Sequence, residues 1–212
     1  VSLYNEHGDG AIDPTPVVSM VGLIEKAEMV TRSSIERGGL DLVLLGGLPH
    51  EMGGSYFLQT QYGKKEGLVP EVDLEAEARL QDLILSEIGA GRVESAHDLA
   101  EGGLLVALVE MLFGEAPLGA RVTVDQLGPS GRLDGLLFGE SQGRVVVAVE
   151  PNSTSALLDN ASKAGVPAQT LGQSDDSGEL LLQVEGKAVL SADVSSLQKL
   201  WEDAIPARMS SS

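Results

Sequence analysis

The chain has 212 residues, 42% of them hydrophobic, with 32 acidic against 14 basic side chains and a net charge of -18. That apolar content can bury a core and excludes global disorder, while the charge argues against a nucleic-acid backbone or an anionic membrane surface as partner. With no cysteine there are no disulfides or thiolate metal sites, and with no bilayer-length apolar run or signal peptide a cytoplasmic protein is expected.

The chain opens on Val1 rather than Met, which points to further sequence ahead of it. Residues 1–13 are polar and glycine-bearing, a loop whose Ser2, Asn5, Glu6 and His7 are all able to meet a ligand. Pro14 and Pro16 force extended backbone. Residues 17–24 are apolar and predict a strand, interrupted by Gly22. Gly38-Gly39 marks a boundary. Residues 40–45 form an apolar run without alternation, as in a strand covered on both faces. Gly46-Gly47 ends it. Gly53, Gly54 and Ser55 then make a turn into a helix, with Ser55 either a cap or a ligand contact.

Residues 73–88 predict the clearest helix: Asp73 at the cap, Glu75 and Glu77 in the first turn, and Leu80, Ile84 and Ile88 on one face. A short strand over 93–96 runs into His97, Asp98, Glu101, Gly102 and Gly103, and an apolar helix over about 104–113 runs away. Paired glycines at a strand-to-helix junction suit an anion at the helix N-terminus. Asp98 and Glu101 equally suit a capping box. Strands are expected at 121–124, 145–149, 168–171, 179–184 and 187–190. Helices are expected at 133–138, 152–164 and 193–204, with a loose tail from 209. Between the helix at 133–138 and the next strand stands Gly139-Glu140-Ser141-Gln142-Gly143. The pattern from residue 39 onward implies α/β layering, helices on a mostly β sheet.

His7, His50 and His97 lack zinc-ligand spacing. No Walker A or dinucleotide fingerprint occurs. Gly139, Ser141 and Gly143 match a nucleophile elbow only formally, because here the strand follows the Ser. Glu6, Asp98, Glu101 and Glu140 can serve magnesium, or can each be a cap or a surface charge.

Four stretches in order become specific: Val-Ser-Leu-Tyr-Asn-Glu at 1–6; Pro-Thr-Pro-Val at 14–17 with Val-Gly-Leu-Ile at 21–24; His-Asp-Leu-Ala-Glu-Gly-Gly-Leu at 97–104; and Phe-Gly-Glu-Ser-Gln-Gly-Arg at 138–144. Together they resemble the C-terminal half of the phosphoribosylformylglycinamidine synthase family (synthetase subunit II), in the aminoimidazole ribonucleotide synthase-like superfamily. The resemblance covers nearly the whole chain. It implies an α/β (α+β) fold, a layered helix-on-mixed-sheet domain like the C-terminal domain of aminoimidazole ribonucleotide synthase. Residues 1–37 would be a remnant of the preceding N-terminal-type subdomain and 38–212 the C-terminal-type subdomain.

The implied function is an ATP- and Mg2+-dependent ligase of purine biosynthesis. ATP phosphorylates the amide oxygen of formylglycinamide ribonucleotide, and ammonia displaces the phosphate. The implied partners are a glutaminase subunit and a small accessory subunit. Ser2 matches a serine that contacts the ribonucleotide. Glu140, Ser141 and Gln142 match a substrate-binding motif of the family's first half, so in this half they would line a pseudo-equivalent, structural nucleotide site with His97, Asp98, Glu101, Gly102 and Gly103. Gly53, Gly54 and Ser55 are expected beside them. No catalytic residue is carried over, and the chain alone is expected to be inactive. Two other readings stay open: a non-catalytic nucleotide-binding scaffold, or another kinase-like member of the superfamily.

Overall fold

Leu42, Leu44, Val43 and Leu45 are all buried, and they divide between two separate apolar clusters. Side chains on a strand alternate between faces, so a strand without polar alternation must be covered on both. In the computed structural model, which describes residues 6–7, 10–11, 17–24 and 26–210, that strand is β3 (Asp41–Leu45), in the interior of a seven-stranded sheet.

The chain divides into two compact units, residues 1–30 and 31–212. In the first, β1 (Glu6–His7) pairs antiparallel with β2 (Gly10–Ala11). The strand expected over 17–24 does not form: those residues carry no strand pairing. Their side chains are exposed, Val21 completely so. A strand needs a neighbour for its backbone groups, and the described residues supply none there.

In the second unit α1 (Tyr56–Tyr62), α2 (Leu74–Gly89), β4 (Val93–Asp98), α3 (Gly103–Met111), β5 (Gly119–Val124), α4 (Leu133–Phe138), β6 (Val145–Val149), α5 (Pro151–Ala164), β7 (Ala168–Asp175), β8 (Glu179–Val184), β9 (Lys187–Asp193) and α6 (Val194–Ser210) follow β3. The sheet order is β4-β6-β3-β7-β5-β8-β9. β5 and β8 run parallel and the other pairs are antiparallel, so the sheet is mixed. One face packs on α3 and α4, through Leu104, Leu108, Met111 and Leu136. The other packs on α2 and α5, through Leu80, Leu83, Leu157 and Ala161. The layered helix-on-mixed-sheet expectation therefore holds.

Element ends moved for local reasons. Asp73 caps α2 as expected, its carboxylate accepting from Glu75 and Ala76 N–H at 3.0 Å each. β4 runs on through His97 to Asp98, because β6 pairs with it down to Val145. Asp98 is thus a strand residue and caps nothing. The N-cap of α3 is Gly102, with φ +82° and no side-chain bond, so the capping box of Asp98 and Glu101 is not formed. α6 continues through Pro206 to Ser210, replacing the loose tail expected from 209.

Candidate functional site

The C-terminal ends of β3 and β4 and the N-terminal end of β6 meet at one end of the sheet, with Leu45 and Asp98 both paired to Val145. The loops leaving these ends carry the predicted site residues. Their organiser is the segment between α4 and β6. Glu140 donates its N–H to Glu51 O at 3.0 Å. Its Oε1 accepts from Tyr56 N–H and from Gly102 N–H, each at 3.0 Å. One carboxylate oxygen thus closes the first turn of α1 and the entry to α3. A carboxylate is favoured there because the first N–H groups of a helix lack intrahelical partners.

Ser141 is fully buried, and its Oγ accepts from His50 N–H at 3.2 Å and Glu51 N–H at 3.1 Å. Ser55 is buried too. Its Oγ donates to Met52 O at 2.7 Å and accepts from Leu58 N–H at 3.3 Å, so it is the cap of α1. Gly53 lies against the backbone of Leu68, where any Cβ would be 1.7 Å from the carbonyl oxygen. Gly54 donates to Glu66 O at 2.9 Å. Gly103, at φ +65°, would bring a Cβ to 2.6 Å from Gly139 O. These glycines let three loops touch.

The structure therefore brings Gly53, Gly54, Ser55, Gly102, Gly103, Glu140 and Ser141 together. His97 and Gln142 do not join in one site. His97 pairs with Val146, on the α3 face of the sheet, and its Nε2 lies 3.2 Å from Glu110 Oε2 of α3. Gln142 donates from Nε2 to Glu140 O at 3.3 Å and lines a recess at the start of α2 instead. Asp98 and Glu101 are exposed. Ser2 lies outside the described residues, and so does the side chain of Glu6.

That recess contains two residues the sequence did not single out. Arg144 donates from Nε to Gly47 O at 2.8 Å and from Nη1 to Gln142 O. Burial lowers its pKa from the ordinary arginine value, against the opposing pull of Glu51. Glu51 Oε1 accepts from Glu71 N–H at 2.9 Å. Burial alone would raise its pKa. That effect is outweighed by the Glu71 N–H, the Ser141 hydroxyl, and the His50 and Arg144 charges, so the carboxyl sits below its usual range. Arg144 was visible as the last residue of the 138–144 motif, but Glu51 carried no signal.

Glu51, Glu71, Asp73 and Glu77 line the recess with Arg144 as its cation. Asp73 is already spent on capping α2. Among the described residues no group of three or more His, Asp or Glu side chains could hold a metal ion. Asp98, Glu101 and Glu140 thus form no such group among the described residues, and the side chain of Glu6, the fourth carboxylate expected to serve magnesium, lies outside them. What the arrangement does chemically is hold loops: Glu140 and Ser141 satisfy four backbone N–H groups that would otherwise be unpaired.

The family of AIR synthase related proteins, C-terminal domain, matches residues 37–185. The chain is 40% identical, over 209 residues, to the phosphoribosylformylglycinamidine synthase subunit PurL of Moorella thermoacetica, covering 99% of this chain and 28% of that protein. It is 36% identical to the PurL of Alkaliphilus metalliredigens, covering 100% and 28%. Similar solved structures include T. maritima PurL complexed with FGAR, with TM-score 0.70, 27% identity, and 81% of this chain and 30% of that one covered. T. maritima PurL complexed with ATP gives TM-score 0.66 and 25% identity over 81% and 27%. E. coli HypE, a hydrogenase maturation protein, shares the fold at TM-score 0.53 and 23% identity over 72% and 48%. The chain spans about 28% of the length of the curated relatives it matches. It belongs to the family of AIR synthase related proteins, of which it carries the C-terminal domain.

Proposed function

We propose that the chain is the C-terminal portion of a PurL-type phosphoribosylformylglycinamidine synthase. The observation that carries this is 40% identity running through 99% of the chain into one continuous part of such a protein. The reaction read from the relatives is an ATP-dependent amidation. The amide oxygen of formylglycinamide ribonucleotide attacks the γ-phosphorus, ADP leaves, and ammonia then displaces phosphate to give the amidine. Ammonia comes from a glutaminase subunit, with a small accessory subunit in the complex; a PurLQS structure is among those similar to this chain. Magnesium is held by parts of the larger protein, and the whole works in the cytoplasm. Residues 1–37 close the preceding N-terminal-type subdomain, and 38–212 form the C-terminal-type one.

Within that reading the loops around Glu140 are a pseudo-site, a structural counterpart of the substrate-binding half, and this chain by itself does not turn over substrate. Ser2 is its contribution to the ribonucleotide. A scaffold reading is favoured by one further observation: one oxygen of the Glu140 carboxylate, Oε1, is already engaged by the Tyr56 and Gly102 N–H groups. Glu140 then serves to order the nucleotide-facing loops.

The test is a graft. This chain replaces the matched 28% of the M. thermoacetica relative, and ammonia- and ATP-dependent amidine formation is assayed. The proposal expects the graft to be active and the 212-residue chain alone to be inactive. A folded but inactive graft would count against it. Ser2→Ala in the graft should weaken substrate use roughly ten- to a hundred-fold, the value of a hydrogen bond to a charged group.

A further inference from the structure

β4 is an edge strand, with β6 on one side. On its other side runs the chain just past the boundary between the two compact units, which falls between Val30 and Thr31. Arg32 bridges Ser95 in parallel, and its carbonyl oxygen accepts from Ala96 N–H at 3.0 Å. Three residues on, Ile35 is buried in the α3-side cluster and donates its N–H to Met111 O at 2.8 Å. Residues 32–35 thus strap the edge of the sheet to the end of α3, held by two backbone bonds and one apolar side chain. The Arg32–Glu36 ion pair lies in solvent, both side chains 71% exposed, and adds little to that hold. The next firm anchor is Leu40, which is buried and donates its N–H to Ser174 Oγ at 3.1 Å. Beside the strap, Ser95 is 1% exposed, and its Oγ meets no hydrogen-bond partner among the described residues. Ser95 pairs with Ala148, a member of the α3-side cluster, so its hydroxyl points into the layer that Ile35 closes.

We propose that residues 32–35 are a strap poised to open, and that Ser95 sets how readily it does so. Closed, the strap buries Ile35 and leaves the Ser95 hydroxyl stranded, which forfeits that group's bonds to water. Open, it gives up the burial of Ile35 and its two backbone bonds, while the hydroxyl is hydrated again. These opposing effects leave the closed state only modestly favoured. The β4–β6 ladder stays intact throughout, since neither strap bond belongs to it. Opening lengthens the free connection between the two units, which then runs from Thr31 to the anchor at Leu40. The device is a property of the fold and holds whether or not the synthase reading does.

The test is native-state amide hydrogen exchange of the 212-residue chain. The Ile35 and Ala96 amides should exchange together through a local opening, roughly a hundredfold or more faster than the amides of β3. Low urea should barely change their rates, because such an opening exposes little surface. Ser95→Ala removes the stranded hydroxyl and should slow both amides roughly tenfold. Ile35→Ala should speed exchange at Ala96 roughly tenfold or more. Circular dichroism confirms that each variant remains folded. Ile35 and Ala96 amides that exchange only at the rate of β3 would overturn the proposal, since no separate opening would exist. So would a Ser95→Ala variant in which the β3 amides slow but Ile35 and Ala96 do not, because something other than the strap would then shut the hydroxyl in. Faster exchange at the two amides in Ser95→Ala, or an Ala96 amide indifferent to Ile35→Ala, would overturn it as well.

Discussion

Gly102 donates its backbone N–H to Glu140 Oε1 at 3.0 Å across 38 residues of sequence. The same oxygen holds Tyr56 N–H. Glu140→Ala strands both donors and should cost about 2–3 kcal/mol, whereas Glu140→Gln keeps an acceptor oxygen and should cost about 1 kcal/mol. Urea unfolding gives the totals. Amide hydrogen exchange at Tyr56 and Gly102 should speed up in the alanine variant specifically. Unchanged protection at both amides would show that the carboxylate is not what holds them.

Ser141 poses a similar test with no charge involved. Its buried Oγ is the acceptor for His50 and Glu51 N–H. Ser141→Ala should destabilise by about 2 kcal/mol, since two buried donors lose their partner. Ser141→Gly should not recover the loss. A melt within a degree of the parent would mean that these donors find other acceptors.

Two glycines should respond with opposite sign. Gly103→Ala places a Cβ 2.6 Å from Gly139 O at φ +65°, a combined clash and strain expected to cost about 2 kcal/mol or more. Gly89, the last residue of α2, has nothing within 4 Å of a Cβ. Gly89→Ala should stabilise by about 0.4–1 kcal/mol through the unfolded chain's entropy. Chemical denaturation of the pair checks both signs.

Acid should expose a third contact. Glu87 of α2 is 1% exposed, with Arg92 Nη2 at 2.9 Å and Asn160 Nδ2 of α5 at 2.9 Å. The Arg92 hydrogen bond lowers its pKa, burial opposes this, and Asn160 adds to the lowering. A depressed carboxyl contributes stability that is full above the unfolded value, about 4.3, and is lost as pH falls through the folded value. Glu87→Gln should therefore cost about 2 kcal/mol at pH 7, and the gap to the parent should shrink below pH 4. A gap constant down to pH 3 would contradict the assignment.

Periodicity showed the sheet because its strands are covered on both faces or on one: 40–45 runs apolar throughout, while β5 alternates buried Ala120, Val122 and Val124 with exposed Arg121 and Thr123. Asp73 was legible as a cap because its reach is local. Asp98 was misread for the opposite reason. Only pairing with β6, nearly 50 residues on, decides that it is strand. The run at 17–24 shows that apolar content without a partner strand does not make one. The proximity of Gly53, Gly102 and Glu140 could be expected from their places at element ends. The role of Glu140 as a bridge could not, since its partners are backbone groups that every residue carries. Glu51 stayed invisible because its environment is assembled from Glu71, Ser141 and Arg144, distant in the chain.

The central claim is that this portion orders loops and does not carry the chemistry. It is tested most directly by steady-state turnover and thermal melting of the PurL graft carrying Glu140→Gln. The account predicts a lowered melt with turnover of the surviving folded enzyme largely retained. Abolished turnover with an unchanged melt would contradict it.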